Sequence, residues 1–253
     1  MTSWEFPATE PVDLQIRIAA GTIKVIAART QTSTVEIVLP PGRPGADGTL
    51  GGIRVAGGAG RLVITAPDRL RLLGGGSPRL KVTVTVPLGS SCKLHTASAD
   101  IGCTGELGAL SAHTASGDVA AGQVTGPVDV HTASGGVRLA SSGPVQAKTL
   151  SGNVRIGAAA GDVTCQTVSG QVEIAAVRGG RIDIKTVSGD ISVAVIRGIG
   201  VQLDLSALSG MVSSDLQPSG AGGEAGAAVA ATLTCRTVSG DIRVSRAAQG
   251  SAG

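Results

Sequence analysis

HTASGDV, residues 113–119, is the stretch on which the fold turns. Close variants stand at 95–101 (HTASADI), 131–137 (HTASGGV), 148–154 (KTLSGNV), 166–172 (QTVSGQV), 185–191 (KTVSGDI), 206–212 (SALSGMV) and 236–242 (RTVSGDI). Their central serines are Ser98, Ser116, Ser134, Ser151, Ser169, Ser188, Ser209 and Ser239, so successive copies are 18, 18, 17, 18, 19, 21 and 30 residues apart. A nearly fixed period marks a repeat architecture, and it outranks any reading of one segment alone.

Counting outward from each serine exposes the strands. Three residues after it stand Ile101, Val119, Val137, Val154, Val172, Ile191, Val212 and Ile242. Four before it stand Leu94, Ala112, Val130, Ala147, Cys165, Ile184, Leu205 and Cys235. Six before it stand Cys92, Leu110, Val128, Val145, Val163, Ile182, Leu203 and Leu233. The positions between are mostly polar. This is period-2 alternation, the pattern of strands buried on one face. Each repeat therefore holds two short strands meeting at a Thr-x-Ser-Gly corner. Gly follows the serine in seven of eight copies, as a turn that a Cβ would strain requires. Thr precedes it by two in seven of eight, and its hydroxyls are expected to bond along a ladder or cap turn amides.

Identical residues at one phase predict coils stacked in parallel and in register, an all-β parallel β-solenoid with coils of about 18 residues. The alternative is an antiparallel meander closed into a sandwich or propeller. LQIRIAAGTIKVIAA (14–28) repeats the phases around Ala20 and Gly21 and reads as a degenerate coil. Further strands are expected at 33–39, 52–56, 61–66 and 79–87, with loops at 40–52 and 71–77. The division expected is a less regular β-rich N-terminal part with a cap (1–88), then regular solenoid (89–246) carrying an insertion at 216–232, in one continuous domain. A frayed tail follows (247–253).

The recurring T-x-S-G-[DNQ]-[VI], with Gly-rich corners between and an N-terminal xxGxIxV coil, resembles a bacterial β-repeat family of unknown function known as "putative adhesin", close to the toastrack domains. The likeness spans about 12–246. It implies a right-handed β-helix and no known catalytic residues. It also implies a link to membrane segments or envelope-stress systems. This sequence departs from that last feature, since it holds no run of 18 apolar residues that would cross a membrane.

Composition narrows the function. Of the 253 residues, 42% are hydrophobic but only Trp4 and Phe6 are aromatic, so the core must be aliphatic. A net charge of +3 and the missing aromatics argue against nucleic acid, which needs a basic surface and stacking platforms. The start, MTSWEFPATEPVD, has no basic or apolar signal region, and the expected compartment is the cytoplasm. No P-loop, HExxH or GxSxG occurs. A glycan-acting β-helix enzyme would need clustered carboxylates and sugar-stacking aromatics, and the repeat disperses the former. No enzyme activity and no cofactor is expected.

Three features remain as candidates. His95, His113 and His131 share one phase, three before the serine, and would form a column on an outer face. They are the candidates for a metal- or pH-responsive module, against the plainer reading of a solvated row that continues as Lys148, Gln166 and Lys185. Asp100, Asp118, Asp190 and Asp241 share another phase, where Asp is a turn former and the calcium nonapeptide pattern is missing. Trp4 and Phe6 are expected to cap the N-terminal end or to anchor a partner. The four cysteines have no metal spacing and read as buried thiols, with Cys165 and Cys235 in one column three coils apart. The expected function is a non-enzymatic scaffold for protein interaction. Its partner would be a membrane-associated protein or a second copy met at the solenoid ends, without nucleic acid and without membrane insertion. An exported surface adhesin is the alternative.

Overall fold

The computed structural model describes residues 2–39, 52–58, 60–66, 79–216 and 229–247. Apart from Gly52, the loops expected at 40–52 and 71–77 lie outside these residues. So do 217–228 of the expected insertion and 248–253 of the expected tail. All described elements are strands, and they fall into two compact units, Met1–Gly135 and Gly136–Gly253.

The first unit contains β1 (Thr2–Pro7), β2 (Asp13–Ala28), β3 (Thr32–Val38), β4 (Arg54–Gly58), β5 (Arg61–Thr65), β6 (Leu80–Pro87), β7 (Ser91–Leu107), β8 (Ala109–Ser116), β9 (Val119–Val124) and β10 (Val128–Ser134). Its repeats pair in parallel with like opposite like: His95 faces His113 and Thr96 faces Thr114 between β7 and β8, and His131 faces His113 between β10 and β8. The degenerate coil is a true coil, because β2 runs parallel to β7 with Leu14 opposite Cys92, Ile16 opposite Leu94 and Ile23 opposite Ile101. On its other side β2 is covered by two strands, β5 along its first half and β6 along its second. Only beyond these does the pairing turn antiparallel: β3 on β6, β1 on β3, and β4 on β5. Buried Ser90 ties the start of β2 to the coil above: its Oγ donates to the Pro87 carbonyl at 2.7 Å and accepts the Val12 N–H at 3.0 Å.

The second unit contains β11 (Val137–Ser142), β12 (Val145–Ser151), β13 (Val154–Ala159), β14 (Val163–Ser169), β15 (Val172–Val177), β16 (Gly180–Ser188), β17 (Ile191–Val195), β18 (Gly200–Ser209), β19 (Val212–Ser214), β20 (Val229–Ser239) and β21 (Ile242–Arg246). Ser151, Ser169 and Ser188 stack in register through β12, β14 and β16. The next rung is not the next repeat in the chain. β16 pairs with β20, and β20 pairs with β18, so Ser188 is followed by Ser239 and then by Ser209. The other face repeats the exchange, with β21 lying between β17 and β19. The last repeat thus fills a slot that its predecessor skipped. A link of four residues (196–199) can climb two rungs, because four extended residues reach about 13 Å and two rungs rise about 10 Å. Arg246 fastens that link by donating from Nη1 to the carbonyls of Ile196 at 2.9 Å and Ile199 at 3.4 Å.

The inward residues show which coil is suited to the inner slot. Leu233, Cys235, Ile242 and Val244 of β20 and β21 are all fully buried. Their counterparts in β18 are equally apolar, Leu203 and Leu205, but in β19 Val212 stands where Ile242 does and Ser214 where Val244 does, so the outer coil has less to bury. The better aliphatic set goes inside. β20 also begins within the expected insertion, because Ala231 already occupies a buried position opposite Gly180. The parallel ladders exclude the sandwich and propeller alternatives. One glycine shows why the corner is written as it is. Gly189 has φ +150°, and a Cβ there would run into the carbonyl of Gly170 in the coil below.

Candidate functional site

The corners use their side chains differently from the expectation. Thr114, Thr132, Thr149, Thr167 and Thr186 are buried, yet their hydroxyls make no hydrogen bond. Thr237 is one that does, donating to the Gly189 carbonyl at 3.4 Å. The capping falls to the position two after the serine. Asp100 Oδ1 accepts the N–H of Asp118, Asn153 Oδ1 that of Gln171, Asp190 Oδ1 that of Asp241, and Asp241 Oδ1 that of Met211, at 2.8–3.1 Å. Each of these side-chain oxygens, three from aspartates and one from an asparagine, thus holds the equivalent residue of the adjoining coil, and the chain 190–241–211 repeats the exchanged rung order. A shallow depression lined by Gln171, Glu173, Asp190, Asp241 and Arg243 lies at this corner, but Glu173 pairs with Arg155 at 3.2 Å and both aspartates are caps.

The three histidines stand together on the outer face of β7, β8 and β10. Their rings stack at centroid separations of 5.0 Å (His95–His113) and 4.9 Å (His113–His131), nearly parallel in both pairs. Strand pairing alone enforces this, since the residues face each other in register. Two before His131, on the same face, stands Asp129. Its Oδ1 lies 3.0 Å from His131 Nε2 and its Oδ2 3.9 Å from His113 Nε2. Two after the histidines the same face carries only Ala97, Ala115 and Ala133, all exposed. The imidazole of His95 is held below its ordinary value by partial burial, then by the neighbouring His113 and Arg17. The rings are stacked rather than convergent, and among the described residues no group of three or more His, Cys, Asp or Glu side chains could hold a metal ion.

Trp4 and Phe6 lie on β1, opposite Val35 and Ser33 of β3, and both are half-buried. The Phe6 ring fills the space a side chain at position 57 would need, against Gly57 of β4. The four cysteines are free and buried, and burial pushes their thiols up, those of Cys103, Cys165 and Cys235 to about 12. Cys165 and Cys235 are nearer than the chain order implies: each faces Ile184, so one rung separates them rather than two. The distance across that rung, about 10 Å, still exceeds disulfide reach.

One surface was missed by the sequence reading. The large hydrophobic side chains exposed among the described residues are Leu150, Val168, Val187, Val238, Leu208, Met211 and Val212. The first five all precede the corner serine, and register stacks them in that order along β12, β14, β16, β20 and β18. The last two belong to β19 and its corner. Leu208 is 83% exposed and Met211 70%, so the ridge broadens where the outermost coil lies. Among the described residues β18 and β19 pair on one side only, with β20 and β21. The signal was in the sequence: SALSGMV replaces the corner Thr with Ala207 and the capping Asp with Met211.

Parallel register, an aliphatic core and repeat-written corners define a β-solenoid repeat protein. The chain belongs to the toastrack family DUF4097, whose pattern matches residues 69–245. Among solved structures it is similar to a "putative adhesin" from Bacteroides fragilis, at 14% identity with 96% of each chain covered and a TM-score of 0.56. That likeness concerns the fold. Two proteins of Parabacteroides distasonis match more loosely, a "putative adhesin" (9% identity, 96% of each chain, TM-score 0.39) and a "putative lipid binding protein" (12%, 96% of each chain, 0.33). No curated protein matches.

Proposed function

We propose that this toastrack chain is an adhesin-like interaction scaffold without a reaction of its own, and that it meets a second copy through its outermost coil, β18 and β19. The observation that carries this is the placement of exposed aliphatic side chains. Five of the seven share one phase of one unit, and exposure is greatest, at Leu208 and Met211, in the coil whose outer edge is unpaired among the described residues. An edge of this kind offers a row of free N–H and C=O groups beside apolar side chains, the combination that strand addition uses. Two copies meeting edge to edge through a two-fold axis place the same coil on both sides.

The test is light scattering on size-exclusion fractions over a hundredfold range of concentration. The intact chain is expected to rise from one chain mass to two. Leu208→Ser with Val212→Lys is expected to remain at one, and Leu150→Ser, at the far end of the ridge, to behave like the intact chain. A mass that stays at one chain throughout would overturn the reading.

A further inference from the structure

We infer that the last two coils of the second unit, β18–β19 and β20–β21, compete for one slot, and that their exchange sets whether the adhesive edge of the proposed scaffold is presented or withdrawn. The consequence rests on that reading of the edge; the exchange itself does not. The slot beside β16 and β17 is filled by β20 and β21, although β18 and β19 come first in the chain. Both coils carry the repeat at the same phase, since Ser209 and Ser239 stand opposite each other. Either one therefore offers β16 the same ladder of N–H and C=O groups. Chain length permits both orders. The link 196–199 climbs two rungs as it stands and would climb one in the sequential order, the step that residues 178–179 make between β15 and β16. Residues 215–228, between β19 and β20, reach about 45 Å when extended, far more than either order needs.

The preference between the two orders rests on few atoms. Leu203 and Leu205 match Leu233 and Cys235 as inward side chains. The observed order gains through Ile242 over Val212 and Val244 over Ser214. It gains also through Asp241, whose carboxylate accepts the Met211 N–H at 2.8 Å, and through Arg246, which holds the carbonyls of Ile196 and Ile199. In the sequential order Ser214 would enter the core beside Val193, and Met211 would offer the Asp241 N–H no acceptor. The edge would change with the order. The observed one puts Leu208 and Met211 outermost; the other puts Val238 and Asp241 there, with Arg236 and Arg243 alongside. Charged side chains blunt an edge against strand addition.

The experiment reads rung order with paired cysteines in the full chain. Ser188→Cys with Ser239→Cys places thiols on neighbouring rungs, about 4.8 Å apart at Cα and within disulfide reach. Ser188→Cys with Ser209→Cys places them two rungs apart, about 10 Å, and beyond it. Oxidised glutathione accepts the electrons, and the four native cysteines are buried. Non-reducing electrophoresis and peptide mapping follow the bonds. The 188–209 bond is expected to form at least tenfold more slowly than the 188–239 bond, but to completion. Met211→Asp, Val212→Ile and Ser214→Val, combined with Ile242→Val and Val244→Ser, should reverse the two rates, with circular dichroism checking that the fold is kept. In light scattering, the chain closed at 188–209 should stay at one chain mass at concentrations where the chain closed at 188–239 doubles. Absence of the 188–209 bond in the otherwise unaltered chain overturns the exchange, as do rates that the transplanted residues leave unchanged. Doubling by both closed chains overturns the link between rung order and edge. If both stay at one mass while the 188–209 bond forms and the rates reverse, the self-association reading fails and the exchange stands.

Discussion

Replacing Thr167 with valine is expected to make the protein more stable. Thr167 sits in β14 between Thr149 and Thr186, only 5% exposed, and its Oγ1 has no hydrogen-bond partner. Leaving a buried polar group unpaired costs about 1–3 kcal/mol. Valine keeps the branched shape and removes the hydroxyl, so the packing against neighbouring rungs is retained. The position lies one step from an open corner, which places the gain near the lower end, about 1 kcal/mol. In a chain of this length that raises the unfolding midpoint by about 2–4 °C. Thr237→Val is the control, because its hydroxyl donates to the Gly189 carbonyl and the substitution forfeits that bond. Thermal unfolding followed by far-ultraviolet circular dichroism reads both. A midpoint for Thr167→Val below that of the intact chain would refute the claim that this hydroxyl is unpaired.

Other substitutions probe the corners and the histidine row. Gly189→Ala should lose more than about 1 kcal/mol in urea unfolding, since its backbone is left-handed and its Cβ meets the Gly170 carbonyl. Asp190→Ala should cost about 1 kcal/mol and Asp190→Asn much less, because the amide oxygen still accepts the Asp241 N–H; calcium should change neither midpoint. His95 binds its proton less readily folded than unfolded. Its contribution is therefore complete above the unfolded value of about 6.5 and is lost as pH falls through that value toward the lower folded one. His95→Gln should flatten the fall in midpoint between about pH 7 and 5.

The coil, its inward residues and the parallel register were legible because the repeat writes them at a fixed phase. Even the degenerate coil around Gly21 announced itself through Leu14, Ile16, Ile23 and Val25, which meet Cys92, Leu94, Ile101 and Cys103 in space. The rung order was not legible in the same way. Spacing says that copies stack, not that neighbours in sequence are neighbours in the stack, and so Cys165 and Cys235 were placed one rung too far apart. A comparison of coil quality would have found it, since Ala207, Met211 and Ser214 mark the 206–212 repeat and its strand as the one fit for an edge. The division of labour at the corner was also hidden. Both Thr and Asp can cap a turn, and only the geometry shows that Asp spans the coils while most of the Thr hydroxyls bond to nothing. For the site, phase alone aligned the histidines. It did not reveal Asp129, which lies on the same face and differs from Ser111 and Lys93 beside it.

Hydrogen exchange at low and high protein concentration tests the functional account most directly. If two copies meet at the outermost coil, amides of β18 and β19 exchange more slowly as concentration rises, while those of β12 and β14 do not change. Exchange in β18 and β19 that is independent of concentration would contradict it.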